Sequence, residues 1–175
     1  KKHQMIGLGT AQFGMNYGIT NEDGKVSSDE LRQILHLASV SSISYIDTAK
    51  VYGDAEMRLG NNSPQNHNFK FITKLPSQGP AKWGWEKVQE WEFSLRESLD
   101  ALNTPHIDTL LLHNVNDLRH NDSFLLVDWI KSLKHTGLLK NFGVSIYDSN
   151  DLVGVDLSLI DSVQLPLSIY DQRCL

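Results

Sequence analysis

Asp47, Tyr52, Lys74 and His113 bring a carboxylate, a phenol, an ammonium and an imidazole to the ends of successive short apolar runs. Ser44-Tyr45-Ile46 leads into Asp47, with Tyr52 five residues on; Phe69 to Thr73 leads into Lys74; Ile107 to Leu112 leads into His113. Together they have the makings of a proton-transfer site. A phenol ordinarily titrates near ~10, too high to give up a proton readily at neutral pH. A nearby ammonium favours the phenolate and lowers that value. A carboxylate beside the ammonium keeps it charged and in place, and an imidazole on the next strand hydrogen-bonds a substrate oxygen or relays the proton. Such a site protonates a carbonyl oxygen while a hydride reaches its carbon, and that hydride must come from a cofactor.

For these residues to meet, the runs that precede them must be parallel strands. In a parallel β/α barrel the C-terminal strand ends converge on one mouth, where barrel enzymes do their chemistry. The sequence has the required rhythm. Strands are predicted at Met5 to Gly9, Ser44 to Asp47, Phe69 to Thr73, Ile107 to Leu112, Asn141 to Ser145 and Ser162 to Leu165. Between them lie a Gly-rich loop through Gly18, then helix-like stretches. Ser27 to Glu30 has the S-x-x-E spacing of a capping box and opens a helix with Leu31, Ile34, Leu35 and Ala38 on one face. A short helix from Asp54 is predicted to stop near Gly60, and Asn61 to Asn68 reads as a loop. The longest helix runs from Trp85 to Leu102, with Val88, Trp91, Leu95, Leu99 and Leu102 as an amphipathic stripe. Another covers Asp122 to His135 and stops at Gly137, and a shorter helical piece begins at Ser149. Six β-then-α alternations predict an α/β fold with a parallel sheet.

The 175 residues suffice for a domain with a substantial core. A net charge of -5, without a Lys/Arg stripe, argues against nucleic acid as a partner. No apolar stretch approaches the ~20 residues that span a bilayer. The polar Lys1 to Gln4 start has no signal-peptide character, and the absence of Met there suggests that the gene begins upstream. One cysteine, Cys174, excludes an internal disulfide and fits a cytoplasmic, reducing setting; no role is assigned to it.

Several other groups of residues have structural readings. Gly7-Leu8-Gly9 lacks the third glycine of a dinucleotide fingerprint, since Gln12 stands there. His113, Asp117, His120 and Asp122 are read as a solvated polar loop and no metal site is expected. Trp91 and Trp129 fall on apolar stripes and are assigned to the core, whereas Trp83 and Trp85 follow Lys74 closely enough to touch a substrate.

The chain resembles the aldo-keto reductases. The likeness is carried by Gly7-Leu8-Gly9-Thr10 with Phe13-Gly14, Ile46-Asp47-Thr48-Ala49 with Tyr52-Gly53 and Glu56, and Ile72-Thr73-Lys74. It continues through the Ser94 to Leu99 helix, Asp108 to Asn114, Gly143-Val144-Ser145 and Gln164. The resemblance implies a TIM (β/α)8 barrel, NADPH as cofactor with NADH as the other candidate, and reversible reduction of a small carbonyl compound. It implies Tyr52 as general acid/base, tuned by Lys74 and Asp47, with His113 orienting the carbonyl. It also implies Ser145 and Gln164, with Asn114, at the nicotinamide carboxamide, and Gly9, Thr10 and Asp47 lining the same pocket. Many members carry Ser-Asn where this chain has Ser145-Ile146, which removes one expected contact. Gln12-Phe13-Gly14 and the Gln164 to Arg173 segment resemble a bacterial branch linked to surface-polysaccharide or spore-coat synthesis, which implies a sugar-derived carbonyl.

Eight βα units need about 250 residues. Residues 1–175 are therefore expected to form one barrel domain, incomplete at its C-terminus and covering about six units. The alternative is a cofactor-binding regulatory subunit, or a non-catalytic fragment, that retains the four residues. Oligomeric state is left open.

Overall fold

The computed structural model describes residues 6–19, 21–64 and 69–173. Met5, the second half of the predicted 61–68 loop and Cys174 lie outside them. Six strands follow one another in chain order in one sheet. The chain divides into two compact units, one made of Lys1–Thr73 and Arg96–Ile107, the other of Lys74–Leu95 and Asp108–Leu175.

In the first unit, β1 (Gly7–Gly9), β2 (Tyr45–Asp47) and the start of β3 (Lys70–Leu75) run parallel. Gly9 pairs with Asp47, and Asp47 with Ile72, so the β1 and β2 ends lie level. The loop expected after β1 begins instead with a one-turn helix, α1 (Ala11–Gly14). Phe13 drives it: its amide donates to the Thr10 carbonyl and its ring is buried. Helix α2 (Ser28–Val40) starts at the expected cap, where the Ser27 hydroxyl accepts from the Glu30 amide at 3.2 Å. It buries Leu31, Leu35 and Ala38, with Ile34 half-buried at the margin.

Helix α3 (Ala55–Asn62) runs through Gly60, which was expected to end it, and takes in Asn61 and Asn62. Gly60 serves packing: a Cβ there would overlap the Ala101 carbonyl oxygen, so only glycine lets α3 approach that backbone. Helix α4 (Trp85–Leu102) has the predicted bounds. Its stripe is buried at Trp91, Leu95 and Leu102 and half-buried at Val88 and Leu99.

In the second unit, β4 (Ile107–Leu112) is buried at every position, as a central parallel strand must be. Helix α5 (Ser123–Thr136) buries Leu126, Trp129, Ile130 and Leu133 and ends at Gly137, whose φ of 78° suits a residue without a Cβ. Strand β5 (Leu139–Ser145) begins two residues earlier than predicted. It pairs in parallel with β6 (Ser162–Gln164), which stops one residue short of prediction. Between them the expected helical piece resolves into two 3-10 turns, Ser149–Leu152 and Leu157–Leu159. No helix among the described residues is long and apolar enough to cross a membrane.

Candidate active site

The first unit collects Asp47, Tyr52, Gly9 and Thr10 around one cavity of about 520 Å³. Ile46 is fully buried, which anchors β2 and leaves Asp47 half-buried at its end. The Thr10 hydroxyl donates to the Asp47 carbonyl at 2.9 Å, and the Thr48 amide donates to the Ile72 carbonyl at 2.8 Å. The chain after β2 is thereby fixed from both sides. Tyr52 sits in a tight turn: its amide donates to the Ala49 carbonyl and its carbonyl accepts from the Ala55 amide. Gly53 follows with φ 60°. Both glycines here are required by contact. A Cβ on Gly14 would overlap the Tyr52 carbonyl oxygen, and one on Gly53 would overlap the Gly14 carbonyl oxygen. Buried Arg58 reinforces this packing by donating to the Phe13 and Val26 carbonyls.

Sequence reasoning quoted Glu56 without giving it a role. It is 6% exposed, and its two carboxylate oxygens accept from the Thr73 hydroxyl at 2.6 Å and the Ser98 hydroxyl at 2.9 Å. Its place four residues after Tyr52 was visible in the sequence; its two partners were not.

In the second unit, Lys74 lies inside β3, not past it as the sequence suggested, and is 4% exposed. His113 follows β4, its amide donating to the Leu75 carbonyl at 3.0 Å. Burial, and next the charge of Lys74, hold the His113 imidazole below its ordinary pKa, so it is neutral at pH 7. Its Nδ1 is buried without a hydrogen-bond partner among the described residues. The Asn114 amide donates to the Ser77 hydroxyl and accepts from the Asn116 amide. Ser145 and Gln164 are register partners at the ends of β5 and β6, both half-buried. Ile146, at the position where an asparagine was expected from the resemblance, is buried.

The loop carrying Asp117, His120 and Asp122 is built differently from expectation. Asp117 is 4% exposed, not solvated, and accepts from the Gln78 amide. Burial pushes its carboxyl pKa up, opposed by that hydrogen bond and by His120 and Lys87. Asp122 accepts from the Trp83 amide, and the His120 ring stacks on Trp83 with centroids 4.0 Å apart. Trp83 is thus buried, with His120 from the loop after β4 and Trp91 of α4 against its ring, whereas Trp85 is exposed. Trp91 and Trp129 are in the core as expected. Among the described residues no group of three His, Cys, Asp or Glu side chains fits a metal ion.

Known proteins share this fold. A solved structure from Pseudomonas aeruginosa, provisionally assigned as an aldo-keto reductase, is 25% identical with a TM-score of 0.74, covering 95% of this chain and 64% of its own. A Bombyx mori aldo-keto reductase in complex with NADP is 24% identical with a TM-score of 0.64, over 93% of this chain and 54% of its own. The D-arabinose 1-dehydrogenase of Saccharomyces cerevisiae is 29% identical over 124 residues, 67% of this chain and 36% of that protein. An aldo-keto reductase of Pseudocercospora fijiensis is 30% identical over 107 residues, 58% of this chain and 35% of that protein. The chain therefore spans about a third of the length of these two curated relatives, and its six strands in chain order match part of an α/β barrel. The Aldo/keto reductase family model matches residues 5–173, and the chain belongs to that family.

Proposed function

We propose that the protein reduces an aldehyde or ketone with NADPH, Tyr52 donating the proton to the carbonyl oxygen. The observation that carries this reading is a cavity lined by both Asp47 and Tyr52 at the C-terminal ends of β1 and β2. In this reading Lys74 lowers the phenol pKa, Asp47 keeps Lys74 charged and in place, and His113 orients the carbonyl. The lowering of the His113 pKa by burial and by Lys74 supports that role, because a neutral imidazole can donate to an oxygen. Nicotinamide dinucleotide, when bound, supplies the hydride that no side chain can. Ser145 and Gln164 fit its carboxamide: a hydroxyl and a primary amide on neighbouring strand ends offer donors and acceptors to both of its polar atoms. Gly9, Thr10 and Asn114 complete the proposed cofactor pocket.

The NADP complex of the Bombyx mori relative supports the choice of cofactor. The D-arabinose activity of the yeast relative supports a sugar-derived carbonyl, as does the likeness of the Gln12 to Gly14 and Gln164 to Arg173 segments to the polysaccharide-linked bacterial branch. A single cysteine is consistent with work in the cytoplasm.

The test is NADPH oxidation by the full-length protein against a panel of aldoses, simple aldehydes and ketones. Turnover is expected, and Tyr52→Phe is expected to reduce it by about 10²–10⁴-fold while leaving nucleotide binding intact. Tight NADPH binding with no turnover of any carbonyl would replace this reading with that of a cofactor-binding regulatory subunit.

A further inference from the structure

Two segments that mark the family resemblance, Glu56 and the Ser94 to Leu99 helix, have no part in the proposed chemistry. They meet each other. Glu56 lies on the first turn of α3, with Tyr52 in the turn just before it. One oxygen takes the hydroxyl proton of Thr73 on β3, and the other takes that of Ser98 on α4. All three side chains are buried, at 6%, 2% and 4% exposure. A buried carboxylate is costly unless its oxygens are hydrogen-bonded, and bonds to an ionised acceptor are the stronger kind. Here each hydroxyl has its rotation fixed by one oxygen, so three elements are tied at single atoms. A second, more exposed tie joins the same regions: Lys50, in the stretch before Tyr52, pairs with Glu97 on α4 at 2.6 Å.

Thr73 is the residue immediately before Lys74. We propose that Glu56 is a positioning residue, whose carboxylate binds the Tyr52 turn to Thr73 of β3 and Ser98 of α4 and so holds the phenol in its working place. The proposal rests on the reading of Tyr52 as the proton donor tuned by Lys74. Gly14 and Gly53 also press α1 against the Tyr52 turn. The turn is then held by two sets of contacts, and loss of the carboxylate removes one of them.

The test uses the full-length protein and a readout that does not depend on turnover. The titration of the Tyr52 phenol is isolated as the ultraviolet difference between each protein and its own Tyr52→Phe counterpart. Thr73→Val removes one arm of the tie at constant side-chain size, Glu56→Ala removes both, and Glu56→Gln retains an acceptor for Thr73 and an amide for Ser98. Thr73→Val and Glu56→Ala are expected to raise the Tyr52 pKa by about half a pH unit or more, with Glu56→Gln close to the unaltered protein. In the same two variants kcat for carbonyl reduction is expected to fall about tenfold or more, with KM for the nucleotide changed little. If Glu56→Ala does not fold, Thr73→Val decides the question.

An unchanged Tyr52 titration in folded Thr73→Val overturns the proposal, even if some activity is lost with folded protein. The two readings separate cleanly. A shifted titration in a protein that reduces no carbonyl keeps the tie and discards the reductase. Normal turnover with an unshifted titration keeps the reductase and discards the tie.

Discussion

Gly14 and Tyr52 meet backbone to backbone: the position of a Cβ on Gly14 is occupied by the Tyr52 carbonyl oxygen. The partner surface is a main-chain atom, itself accepting from the Ala55 amide, so it has no rotamer by which to withdraw. Gly14→Ala must therefore push α1 off the turn. The expected cost is about 1–3 kcal/mol of stability, as for other overpacked sites. We expect activity to fall more than the melting temperature alone accounts for, because the displaced atom belongs to the residue proposed to donate the proton. Thermal melts and kcat, measured on the same preparation, check both parts.

The His113 imidazole gives a pH signature. Its folded pKa lies below the ordinary 6.5, so just under that pH the unfolded chain binds more protons than the folded one. Stability attributable to His113 is therefore full above 6.5 and declines as pH falls from 6.5 towards the folded pKa. His113→Gln should flatten that part of the stability curve and leave the more acidic part, where carboxylates titrate, in place. Urea melts of both proteins between about pH 5 and 8 make the comparison. Identical curves would show that His113 is charged or exposed in solution.

Ser145 and Gln164 make a separable prediction about nucleotide binding. If each supplies one hydrogen bond to the carboxamide, Ser145→Ala and Gln164→Ala should each weaken NADPH binding by about 1 kcal/mol, roughly fivefold in Kd. Isothermal titration calorimetry reads this directly. The same substitutions should leave the Tyr52 titration unmoved, which distinguishes them from changes in the Glu56 tie.

The elements most legible in the sequence were those whose pattern is self-contained. The α4 bounds follow from an apolar stripe running from Val88 to Leu102, and α5 stops at Gly137 because the last turn needs a left-handed residue. The misreadings arose where a distant segment decides the outcome. Gly60 looks like a helix terminator until Ala101 is seen beside it. Helix α1 has four residues and no periodicity to detect; the burial of Phe13 defines it. Lys74 reads as the residue just past its strand, yet it is buried within β3. Asp117 reads as solvated because the sequence does not reveal that the Gln78 amide faces it. The candidate site was legible as residue types at strand ends. The supports of those residues were not, since Glu56, Thr73 and Ser98 are separated by 17 and 42 positions along the chain.

The His120 ring lies flat on Trp83, 4.0 Å away and within 7° of parallel, while Trp83 packs edge-on against Trp91. Tryptophan emission is sensitive to the aromatic rings stacked on it. The loops after β3 and β4 thus carry an intrinsic optical reporter. A ligand that shifts either loop should register as a change in emission intensity with no label attached.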